Sequence, residues 1–150
     1  TAAEELLRQS GRSLSLEWRR ADRPGMARES YLLDRNLLRE IFENLLSNAL
    51  RFAAERVRIE LAVEDQLLVM TVSDDGRGFS EEALRRACDT YYTEEKNSAE
   101  HFGIGLAVCR ILAAKHGGAL RLANCAEGGA AAVVTLDGIL GWDEVRDCQR

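Results

Sequence analysis

The chain holds one proline, two histidines and aromatic residues at only 6% of its 150 positions, and its 20 basic residues are outnumbered by 25 acidic ones. A formal net charge of −5 argues against nucleic-acid binding, which wants a basic face. No apolar run approaches the roughly 20 residues of a membrane span, and there is no signal-peptide pattern, repeat or low-complexity stretch. Cys88, Cys109, Cys125 and Cys148 form no C-x-x-C pair. They therefore offer no zinc framework, and reduced cytosolic thiols are the expectation, with Cys109 a core residue. The length suits one domain with a single core.

What the chain does have begins with two amides. The segment from about Arg35 to Ala53 has no Gly or Pro, is rich in Leu and follows Asp34, an N-cap residue, so it is expected to be a helix. At 100° per residue, Leu38, Ile41, Phe42, Leu45, Leu46, Ala49, Leu50 and Ala53 share an apolar arc, and Glu40, Asn44, Ser47, Asn48 and Arg51 share a polar stripe. Asn44 and Asn48, four apart, sit side by side. Asn is a poor helix former. Two in mid-helix fit either a solvated stripe or a site in which an amide oxygen meets Mg²⁺ and Arg51 meets phosphate.

Downstream, Val57, Ile59, Leu61 and Val63 alternate with polar residues, Glu64-Asp65-Gln66 turns the chain, and a return strand runs from about Leu67 to Ser73. Asp74 is in phase with Leu68, Met70 and Val72, so it is expected to face inward. A carboxylate placed there needs donors, and an adenine amine is one. Gly76 and Gly78 allow a tight turn and close approach to a flat base; an ordinary Asp-Gly turn is the alternative. Gly103-Ile104-Gly105-Leu106 opens a second helix through Ile111, Leu112 and Lys115, presenting free N–H groups to an anion.

The remaining layout is a first strand over Leu14, Leu16 and Trp18, a break at Arg23-Pro24-Gly25 and a short strand near Tyr31 to Leu33. Ser80 caps a short helix through Ala87, and residues 88–102 form a long polar loop. A final hairpin pairs Ala119 to Asn124 with Ala130 to Leu136. His101 lies in the loop, and His116 closes the second long helix ahead of Gly117. Residues 1–12 are expected to be the end of an upstream linker or helix, 13–136 the domain, and 137–150, with Trp142, a tail forming a short helix or staying disordered.

In this order NLLSNALRF, DDGRGF, TYYTEEK and GIGLAVCRILAAKHGG resemble the N, G1, F and G2 boxes of sensor histidine kinases, within the GHKL (Bergerat-fold) ATPases, over roughly Ser13 to Leu136. The resemblance implies an α+β two-layer sandwich: a mixed, largely antiparallel sheet covered on one face by about three helices, with ATP under a lid at about 88–102. It implies Mg²⁺ on Asn48, with Asn44, Arg51 and Lys96 near the reacting phosphate. Phe52 would pack against adenine, Asp74 would read its amine, and Gly76, Gly78 and Phe79 would shape the base pocket. Tyr92, with Tyr91, would stand in the F box, and Gly103, Ile104, Gly105 and Leu106 would line the phosphates. Asp75 and Arg77 replace the more frequent Asn and Pro of the G1 box.

Related hydrolases and sigma-factor-regulating serine kinases carry a glutamate base where this chain has Asn44, which accepts no proton at neutral pH. A neutral imidazole has a free lone pair, so Asn44 favours a histidine acceptor. Neither His101 nor His116 stands in a phosphoacceptor motif. The implied partners are a dimerisation and histidine-phosphotransfer domain of the same kinase and a downstream response regulator, with the domain cytoplasmic and the parent protein anchored in the membrane. A nucleotide-binding module without transfer, or a serine kinase, is the alternative.

Overall fold

The two amphipathic periods of the sequence, 3.6 in the helices and 2 in the strands, bring their apolar positions to one shared interior. A computed structural model describes residues 2–11, 13–20, 30–31, 35–64, 67–86, 105–137 and 139–140. In chain order the elements are α1 (Ala2–Ser10), β1 (Ser15–Arg20), β2 (Ser30–Tyr31), α2 (Arg35–Phe52), β3 (Arg56–Glu64), β4 (Leu67–Asp74), α3 (Glu81–Arg86), α4 (Gly105–Lys115), β5 (Ala119–Asn124), β6 (Ala130–Leu136) and β7 (Ile139–Leu140). Five strands form a sheet in the order β1-β3-β4-β6-β5. The β1–β3 pair is parallel and the others antiparallel. This is the expected α+β sandwich with a mixed, largely antiparallel sheet.

The core lies between the helices and one sheet face. Ile41, Leu45, Leu46, Ala49 and Leu50 of α2 are buried there, with Leu38 and Phe42 packed at the margin. Val57 and Ile59 of β3, Met70 and Val72 of β4, and Ala132, Val134 and Leu136 of β6 meet them from the sheet. Cys109, Leu112 and Ala113 of α4 complete the layer. The Cys109 thiol donates to the Ile41 carbonyl at 3.5 Å, which makes it a core residue as the sequence implies. Burying one such Leu or Ile contributes about 1.5–3 kcal/mol, so the arc of α2 fixes which side of that helix faces outward. Asn44 and Asn48 follow from it.

The end of α4 is tied to the sheet. Gly118 N–H donates to Ala113 O at 2.9 Å and Gly117 N–H to Ala114 O at 3.1 Å, a Schellman closure with His116 as the C-cap. A Cβ at Gly118 would lie 1.6 Å from the Thr135 carbonyl oxygen of β6. The His116 carbonyl accepts the Asp137 N–H at 2.7 Å.

Two elements, the first strand and the tail, differ from expectation. The first strand is Ser15–Arg20, one residue later than the Leu14 start. Helix α1 lies where the end of an upstream linker or helix is expected; it packs on α2 and places Ala3 in the core with Leu6 and Leu7 beside it. The tail begins neither as helix nor as disordered chain: Ile139–Leu140 pair with Ser30–Tyr31. Two residues carry no period, so that pairing leaves no pattern to read. The Asp34 cap, the Asp65-Gln66 turn and the 88–102 lid lie outside the described residues. No helix among the described residues is long and apolar enough to cross a membrane.

Candidate functional site

Asp74 ends β4 on the same face as Met70 and Val72 and is 7% exposed. It is the one buried charged residue among those described. Its Oδ1 accepts the Gly76 N–H at 2.8 Å. Burial pushes its carboxyl above the usual aspartate range, more than the Gly76 and Ala130 N–H groups lower it, and the neighbouring Asp75 charge adds to the rise. Such a group is stabilised by a further donor.

The loop after Asp74 is held from outside. Asp75 Oδ1 accepts N–H groups of Ala54 at 2.9 Å, Glu55 at 3.0 Å and Arg56 at 3.0 Å, the turn between α2 and β3. Burial pushes the Asp75 carboxyl up, but the N–H groups of Arg56, Glu55 and Ala54 outweigh it and hold it below the usual value. A Cβ at Gly76 would stand 2.0 Å from the Phe52 carbonyl oxygen, and one at Gly78, with φ at +79°, would stand 2.9 Å from Asn124 Oδ1. Both glycines thus allow close approach to protein. The Asn124 amide spans Phe79, accepting its N–H at 2.6 Å and donating to its carbonyl at 2.9 Å. Ser80 Oγ then accepts the Ala83 N–H at 3.1 Å and caps α3, as expected.

Within the α2 stripe, Asn44 faces the start of α4. Asn44 Nδ2 donates to the Glu40 carbonyl at 2.9 Å, and its Oδ1 lies 3.1 Å from where a Cβ of Gly105 would be. Helix α2 and the first turn of α4 therefore meet at Asn44, with Leu106 buried just beyond. Arg51 Nη2 reaches Asn48 Oδ1 at 3.4 Å. The Arg51 guanidinium lies 4.6 Å, and that of Arg77 5.1 Å, from the centroid of the Phe52 ring, within cation–π range. Tyr91, Tyr92, Lys96, Gly103 and Ile104 lie outside the described residues.

Asn48, Arg51, Phe52, Asp74, Gly76 and Arg77 thus join the end of α2 to the end of β4, and Asn44 joins α2 to α4. Sequence reasoning missed what Asn124 and Asp75 do. Each contacts residues 19 or more positions away, beyond any local pattern.

Residues 33–138 match the family described as Histidine kinase-, DNA gyrase B-, and HSP90-like ATPase. The chain belongs to this family, and ATP is accordingly its nucleotide. Among similar proteins, the C4-dicarboxylate transport sensor protein DctB of Pseudomonas aeruginosa is 42% identical over 98 residues, 62% of this chain and 16% of DctB. The signal transduction histidine-protein kinase AfsQ2 of Streptomyces coelicolor is 34% identical over 106 residues, 69% of this chain and 20% of AfsQ2. The chain thus spans a fifth or less of the length of these relatives. Among solved structures, the mycobacterial sensor histidine kinase MprB superposes with a TM-score of 0.76 at 22% identity, covering 91% of each chain. Full-length ShkA, in complex with AMPPNP, superposes with a TM-score of 0.73 at 22% identity, covering 93% of this chain and 30% of that one.

Proposed function

We propose that this chain is the ATP-binding catalytic domain of a sensor histidine kinase and passes the γ-phosphoryl group to a histidine on a separate dimerisation domain. A response-regulator aspartate then receives it. The observation that carries this is the meeting of three elements distant in sequence: Asn44 of α2 against the start of α4, and buried Asp74 behind the Phe52 end of α2. Asp74 accepts the adenine amine; a guanine oxygen at that position would face a second acceptor. Arg51 meets phosphate charge.

Mg²⁺ fits the donor set. Among the described residues no three His, Cys, Asp or Glu side chains group as a metal cage. Asn48 offers one neutral hard oxygen, which here accepts from Arg51 Nη2 at 3.4 Å; with Arg51 turned to phosphate, it suits a cation that arrives with polyphosphate and keeps phosphate and water ligands. When bound, the ion screens charge on the transferring group.

Asn44 does not act as a base. Its Nδ2 is engaged by Glu40 O, and Glu43 pairs with Arg39 at 2.7 Å. That supports an acceptor bringing its own lone pair, an imidazole nitrogen that forms the N–P bond as the bond to ADP breaks. The cytoplasm, where ATP is held, is the proposed compartment, with membrane anchoring left to the parent protein.

The test is titration of the 150-residue chain with Mg-ATP and Mg-GTP, then incubation with labelled ATP and a histidine-phosphotransfer domain added in trans. Micromolar ATP binding, a clear preference over GTP and label on the added domain are expected. Absence of ATP binding overturns the proposal, and ATP hydrolysis without protein label moves the chain to the hydrolase branch.

A further inference from the structure

The loop from Asp74 to Phe79 has two anchors, and only one comes from a segment the family motifs name. Asp75 fixes its upstream half to the α2–β3 turn. The downstream half rests on Asn124, the last residue of β5, 45 positions away. A single amide there does what a neighbouring strand would do: it accepts the N–H and donates to the C=O of one residue, Phe79. The match extends to Gly78, whose missing side chain leaves room for Asn124 Oδ1.

We propose that Asn124 is a positioning residue for base recognition. Resting on the ATP-binding assignment above, it acts through Phe79 and Gly78 on the loop that carries Gly76 and Arg77, without touching nucleotide itself. Two observations separate this from a role in stability alone. Asn124 is exposed at the end of an edge strand and lies outside the buried core, so its loss leaves the interior intact. The segment it holds leads directly back to Arg77, whose guanidinium sits 5.1 Å from the Phe52 ring, and to Gly76, whose N–H is on Asp74 Oδ1. Releasing Phe79 therefore lets the Arg77 contact drift on the base side while Asp74 stays fixed by its strand and Gly76 by the Asp75 anchor. The loop then presents its donors and ring contacts over a wider range of positions, and discrimination between bases falls before binding is lost.

The experiment compares wild type, Asn124→Ala and Asn124→Asp. Affinities for Mg-ATP and Mg-GTP are measured well below the melting temperature, and amide hydrogen exchange at Phe79 is followed without nucleotide. Loss of two hydrogen bonds to one loop is expected to weaken Mg-ATP about tenfold, to shrink the ATP-to-GTP preference, and to speed Phe79 exchange with little change in melting temperature. Asp keeps the acceptor and loses the donor, so it should fall between the two. A variant that melts earlier yet keeps wild-type affinity and preference overturns the positioning role. Wild-type protein that ignores Mg-ATP overturns the kinase assignment and this role together, whereas wild-type binding with an unchanged Asn124→Ala affinity overturns this role alone.

Discussion

Gly76 lies flush against the backbone of Phe52, close enough that a Cβ would stand 2.0 Å from the Phe52 carbonyl oxygen. The obstacle is main chain at the end of α2, so it cannot swing aside. Gly76→Ala should therefore cost about 2 kcal/mol or more and abolish ATP binding. A thermal melt and a calorimetric titration of the variant check both; wild-type affinity would mean that the loop does not need this contact.

Asp74 should trade stability for selectivity. Its folded pKa is raised by burial, so its contribution to stability is complete below the unfolded value and is lost as pH rises through the folded one. Asp74→Asn should accordingly be more stable than wild type at neutral pH, yet weaken adenine selection by about tenfold or more, since an amide can turn its N–H₂ toward the base. ATP affinity of wild type should fall as pH drops toward a value above the ordinary 3.8, and the Asn variant should lack that dependence.

Asp75 has the opposite sign. Its pKa is held low by backbone N–H groups, so it stabilises above the unfolded value and that contribution fades as pH falls through the folded one. Asp75→Ala should cost about 1 kcal/mol at pH 7, the low side of a charged hydrogen-bond contribution because water competes at this exposed site. Melting temperatures of the variant and wild type should converge in acid, and a gap that persists there would count against the assignment.

On α2 the two amides should separate in their effects. Asn48→Ala should remove the Mg²⁺-dependent part of ATP affinity, seen as titrations that no longer respond to the ion. Asn44→Glu should raise ATP hydrolysis in a purified assay, and unchanged turnover would mean that residue 44 does not decide the chemistry.

How much of this was legible in the sequence depended on range. The inward face of Asp74 followed from the two-residue period it shares with Met70 and Val72, and the neighbouring positions of Asn44 and Asn48 followed from the helical period of α2. The last hairpin was bounded by its own glycines. What stayed hidden was contact between segments. Asn124 reads as an ordinary strand end, and nothing near it points to Phe79. Asp75 reads as half of an Asp-Asp-Gly turn, because its partners belong to the preceding turn of the chain. The pairing of Ile139–Leu140 with Ser30–Tyr31 joins pieces too short to have a period.

Helix α4 meets a neighbour at both ends: Gly118 seats on Thr135, and Gly105 approaches Asn44. On the proposed function Asp74 and the helix become the two jaws of a calliper, one set for the base and the other for the far phosphates. Ligands are then sorted by reach: a nucleoside too short to touch both jaws leaves one of them idle.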